Sequence, residues 1–114
     1  MIGREAIEQI LSQYTKHGWT LRRVLLSEQV RKHLPGIDER FEKAEISASE
    51  LDGLWFSRSS RPGITAWELR HLAETPFALV ENVPDTADAE AADTVLKSVE
   101  IKMIDAVGKR RPGH

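Results

Sequence analysis

The stretch Leu54-Trp55-Phe56-Ser57-Arg58-Ser59-Ser60-Arg61-Pro62-Gly63-Ile64-Thr65-Ala66-Trp67-Glu68-Leu69-Arg70-His71-Leu72 decides the fold. Leu54 to Ser57 is bulky and mostly apolar, as a strand in a core is. Pro62-Gly63 is a strong turn signal. Residues 64–72 then return, with apolar and polar side chains alternating from Trp67 to Arg70. A helix through Trp67, Arg70 and His71 is the competing reading of that arm. Read as strands, the two arms make an antiparallel hairpin, and the rest of the chain must build a sheet around it.

Working outward towards the N-terminus, Ser49 to Gly53 is turn-like. Residues 37–47 are ambiguous. Ile37, Phe41 and Ala44 suit a helix, but Ala44 to Ser47 looks extended, and a strand near 41–47 is favoured. Ser27 can cap a short helix carrying Val30 and Leu34, which Pro35-Gly36 ends. Trp19 to Leu26 reads as a strand. Its second half, Val24-Leu25-Leu26, is apolar on both faces, as a central strand would be. Before it, Ile2, Ala6, Ile7, Ile10, Leu11 and Tyr14 recur at helical spacing. That helix should stop near His17, with Gly18 at the left-handed position that follows.

Towards the C-terminus, Thr75-Pro76 breaks the chain and Phe77 to Glu81 is another strand, ended by Pro84. Asp85, Thr86 and Asp88 supply capping groups and acidic charge for a helix start. Ala92, Val95, Leu96, Val99, Met103, Ala106 and Val107 form one stripe, and Gly108 should end the helix. These readings predict an α+β fold. It is expected to be two-layered, with a mostly antiparallel sheet of four or five strands and both long helices packed on one face. Residues 1–108 form one domain on this reading, and 109–114 a disordered basic tail.

The chain has 114 residues and a mass of 12.9 kDa, the size of one domain. Hydrophobic residues are 40% and charged residues 30%, a balance that suits a globular chain. The net charge of −2 gives no global field towards nucleic acid or an anionic membrane. Cysteine is absent, which excludes disulfides, thiolate zinc sites, iron–sulfur clusters and a cysteine nucleophile. Met1 to Ala6 has no apolar signal region, and no run reaches about 18 apolar residues. A cytoplasmic location away from membranes is therefore expected. Residues 73–108 hold 2 basic and 8 acidic residues, so the last helix presents an acidic face. A solvated face is the plain reading, and a docking face for a basic partner is the sharper one.

The histidines, His17, His33, His71 and His114, form no paired ligand spacing, so neither a metal site nor a cofactor is expected. No GxSxG elbow, Walker loop or GxGxxG fingerprint is present. Asp52, Glu68 and Arg70 are loosely similar to the pattern of metal-dependent nucleases, in which two carboxylates hold magnesium beside a basic residue. Arginine replaces the usual lysine and cannot act as a base.

Three functional expectations follow. The leading one is a small interaction or regulatory module without catalysis, self-associating as a dimer. Its basis is the absence of common catalytic motifs and the broad apolar surface that Ile101 and Ile104 add to the last helix. The second is a nucleic-acid-binding module in which Trp19 and Trp55 stack bases while Arg22, Arg58 and Arg61 hold phosphates. Regular alternation would point Arg22 and Arg23 to opposite faces, so only one could join that surface. The third is an enzyme with a polar site around Glu68, Arg70 and His71.

Overall fold

The computed structural model describes residues 2–109. The elements run α1 (Arg4–Lys16), β1 (Thr20–Leu26), α2 (Glu28–His33), α3 (Ile37–Arg40), β2 (Glu45–Ala48), β3 (Gly53–Arg61), β4 (Ile64–His71), β5 (Ala78–Pro84) and α4 (Ala89–Lys109). The strands make one sheet in the order β2-β1-β3-β4-β5. Pairing is antiparallel except between β1 and β2, which are parallel. The sheet is therefore mixed, and α2 and α3 form the crossover that a parallel pair requires. The α+β class, the five strands and the two long terminal helices are as the sequence suggests.

The layering differs. The two helices do not share a face. Alternate residues of the central strands feed two separate cores. Val24, Leu26, Leu54 and Phe56 pack with Ile7, Ile10 and Leu11 of α1. Leu25, Trp55, Leu69 and Val83 pack with Leu96, Val99 and Met103 of α4. The sheet thus lies between α1 and α4. The physical reason is written in Val24-Leu25-Leu26 and Leu54-Trp55-Phe56. A strand apolar on both faces must be covered on both, because each exposed large apolar side chain forgoes about 1.5–3 kcal/mol of burial.

Local signals explain most element ends. Gly18 closes α1 at φ +83°, and Gly63 makes the β3–β4 turn at φ +81°. The Ser27 hydroxyl accepts the Val30 N–H and caps α2. The Asp88 carboxylate accepts the Ala91 N–H at the start of α4. Residues 37–47 divide between the two readings. Ile37 and Phe41 are buried through α3 and the turn after it, while the extended part begins only at Glu45. Helix α4 continues through Gly108 to Lys109 rather than ending at Gly108. The rest of the expected basic tail, 110–114, lies outside the described residues. Among the described residues no helix is long and apolar enough to cross a membrane.

Candidate functional site

A β-bulge in β1 creates the arrangement of most functional interest. Leu21 pairs with Phe56 and Arg23 with Trp55, so Arg22 is the extra residue between them. A bulge breaks the strict alternation of side chains. Arg22 and Arg23 consequently reach the same face, and each guanidinium lies 5.9 Å from the Trp67 ring centroid. The expectation that the two arginines diverge fails for this reason. Their destinies still differ. Arg23 is half-buried and binds Asp93 at 2.8 Å and Glu45 at 3.8 Å. Its hydrogen bond to Asp93, the largest effect there, holds that carboxyl below the usual carboxylate range. Arg22 is exposed and has no ion pair among the described residues.

Arg22 and Trp67 border an open groove of about 470 Å³ on the α4 face. The hydroxyl-bearing side chains Thr20, Ser57, Ser59 and Thr65 also line it. Arg58 reaches its rim and equally lines a cleft of about 320 Å³ on the α1 face. There the Arg58 guanidinium lies 4.4 Å from the Trp19 ring centroid, and its Nη1 donates to the His17 carbonyl at 2.8 Å. Gln13, Tyr14 and Glu68 complete that cleft. The two arginine–tryptophan pairs thus occupy the two sides of one end of the sheet. Volumes of a few hundred Å³ are typical of ligand sites.

Carboxylates share this end with the guanidiniums: Glu68 lines the cleft beside Arg58, and Glu81 lies opposite Trp67 in the β4–β5 register. Asp85 lines the groove, Asp88 and Asp93 lie at the start of α4, and each of these three carboxylates is engaged. Asp85 accepts from the Thr65 hydroxyl at 2.7 Å, Asp88 caps α4, and Asp93 binds Arg23. Among the described residues no carboxylate forms an ion pair with Arg22, Arg58 or Arg61, in contrast to Arg23, Arg31 and Arg40.

The other residues singled out in the sequence are dispersed. Trp55 is fully buried and donates its indole N–H to Glu100 at 2.8 Å, so it offers no ring to a ligand. Arg61 lies exposed at the end of β3, beside a second register shift. Glu68 and Arg70 share the α1 face, but His71 belongs to the opposite one by strand alternation. Glu68 accepts the Tyr14 hydroxyl, and Arg70 donates to the carbonyl of His71. The proposed trio does not converge. Asp52 lies elsewhere, with its two oxygens taking the Ser27 N–H and hydroxyl at 2.6 and 2.9 Å. Among the described residues no three histidine, aspartate or glutamate side chains come together as metal ligands would. Ile101 is exposed, whereas Ile104 packs into the α4 core. Trp67 lies near Arg58, Arg61 and Arg70 in sequence just as Trp55 does, and nothing local selects it over Trp55, while Tyr14 carries no signal beyond its place on the α1 stripe.

Comparison with known proteins finds no matching family model, no matching curated protein and no matching solved structure.

Proposed function

We propose that the chain is a small cytoplasmic binding module without catalysis, and that its ligand is single-stranded nucleic acid. The observation that carries this reading is the end of the sheet shared by Arg22–Trp67 and Arg58–Trp19, with guanidiniums free of ion pairs among the described residues. Single strands need flat rings for bases and cations for phosphates, with little sequence readout. Hydroxyls from Thr20, Ser57 and Ser59 supply further donors to phosphate oxygens. A catalytic reading has less support, because Glu68 already accepts the hydroxyl of Tyr14 and Arg70 is bonded to backbone.

The test is fluorescence anisotropy of a labelled oligothymidylate against the full chain at several salt concentrations. Binding is expected at low salt, with log affinity falling against log salt at a slope of about −1.4 for the two phosphate contacts of Arg22 and Arg58. Arg22→Ala and Arg58→Ala should each reduce that slope by about 0.7. Absence of binding at low salt, or a slope that neither variant changes, overturns the reading.

A further inference from the structure

The outer edge of β5 carries a pairing surface that the ligand reading does not use. The His71 N–H donates to the Phe77 carbonyl at 2.9 Å, and the Asp85 N–H donates to the Gly63 carbonyl at 2.8 Å. Between these points the register runs from Arg70↔Ala78 to Ile64↔Pro84. Hydrogen-bonded and non-hydrogen-bonded pairs alternate along an antiparallel ladder. Leu79, Glu81 and Val83 therefore turn their backbone groups towards β4. Ala78, Val80 and Asn82 turn theirs outward, to an edge that no other strand pairs with among the described residues.

The usual devices that blunt an edge are weak here. Natural edges are short, charged, bulged or covered. The opposite edge, β2, has four residues and opens on Glu45, which pairs with Arg23. β5 has seven residues, and its outward-facing row of Ala78, Val80 and Asn82 is exposed and uncharged. Val80 is 55% exposed, one of two large apolar side chains so placed among the described residues. Only Pro84, which has no N–H, stops the row.

We propose that β5 pairs antiparallel with β5 of a second copy about a two-fold axis at Val80. The register is chosen by charge and by hydrogen bonding. Centred on Val80, Ala78 of each copy lies opposite Asn82 of the other, and each of the three outward N–H groups meets a carbonyl. Glu81 then lies opposite Leu79. Centred on Glu81 instead, the two glutamates would face each other, and like charges directly opposite are destabilising. That register also places Ala78 opposite Pro84, which has no N–H to return. A strand pair alone buries less than the roughly 800 Å² per partner of a standard interface, so the dimer is weak and depends on concentration.

Sedimentation velocity on the full chain tests this, with cross-linking as a second arm. Mass is expected to rise from 12.9 kDa towards twice that value as concentration increases. Val80→Lys, which keeps the backbone and adds a charge, should stay monomeric with unchanged circular dichroism. The chain has no cysteine of its own. Under mild oxidation Val80→Cys should form a disulfide-linked dimer, because directly opposed hydrogen-bonded residues have Cα atoms about 5.5 Å apart, within disulfide reach. Ile101→Cys, on the solvent side of α4, should not. A monomer at all concentrations up to about 0.5 mM, a range that covers weak association, overturns the proposal. So does a dimer indifferent to Val80→Lys, or cross-linking through Ile101→Cys in place of Val80→Cys. A monomer whose β5 amides gain exchange protection only on addition of an unrelated extended peptide would assign the edge to another partner and equally overturn the two-fold pairing.

Discussion

Tyr14 is the residue that ties α1 to the sheet on the α1 face. Its ring stacks on Phe56 at 4.0 Å between centroids, and its hydroxyl donates to Glu68. Burial, and after it the hydrogen bond to Glu68, raises the phenol well above its ordinary range. A raised pKa means that the stabilisation is complete below the unfolded value, about 10 for tyrosine, and is lost as pH rises through the folded value. The chain has a single tyrosine, so tyrosinate absorbance reports Tyr14 alone. In the folded protein that absorbance should grow only above the normal range, and titration near 10 would contradict the packing described. Tyr14→Phe should cost about 1–3 kcal/mol at neutral pH by leaving Glu68 without its donor. It should also flatten the alkaline decline in stability seen by urea titration. Little of this was legible in the sequence. Tyr14 reads as one more apolar position on a helix, and Glu68 as a candidate ligand. Their meeting depends on a tertiary contact across 54 positions of chain. Trp55 shows the reverse. Sequence can count a tryptophan beside arginines, but only the strand's place at the sheet centre decides that its ring is core.

At the level of elements, the periodicity of α1 and α4, the glycine after α1 and the Pro62-Gly63 turn were readable because each is a local signal. Two features were not. A bulge is a property of pairing, so the common face of Arg22 and Arg23 appears only once β3 is alongside. Val24-Leu25-Leu26 demands cover on both faces, but which helix supplies which cover depends on tertiary packing that no local signal carries. The stripe of α4 illustrates the consequence. Ile101 and Ile104 look alike in sequence, but Ile104 packs with Leu96 and Met103 while Ile101 is 67% exposed. Ile104→Ser should therefore lower stability by about 1–2 kcal/mol, less than a fully buried isoleucine would lose. Ile101→Ser should change it by less than about 0.5 kcal/mol. Denaturant midpoints separate the two. Equal effects would mean that α4 sits in another rotation on the sheet. Unaltered sedimentation of Ile101→Ser is also expected, since the self-pairing proposed above runs through β5 and not through α4.

For the whole molecule, the two cores have separate side chains but share backbones. Val24 and Leu26 serve the α1 core while Leu25, between them, serves the α4 core. Leu54 and Phe56 flank Trp55 in the same way. Neither layer can come apart fully without removing the support of strands that the other layer needs. Cooperative unfolding of a single small domain is the consequence. Leu96→Ala removes buried volume from the α4 core only and should cost about 2–5 kcal/mol. If the strands couple the layers, the slowest amides of α1, near Ile7 to Leu11, should lose as much exchange protection as those of α4. Their exchange requires the same global opening, although Leu96 lies in the core on the other side of the sheet. Faster exchange restricted to α4 and β5 would show instead that the α4 layer opens by itself, leaving α1 on an intact sheet. It would also mean that the groove beside Trp67 can open without unfolding the Trp19 cleft, so that the two arginine–tryptophan pairs need not act as one surface.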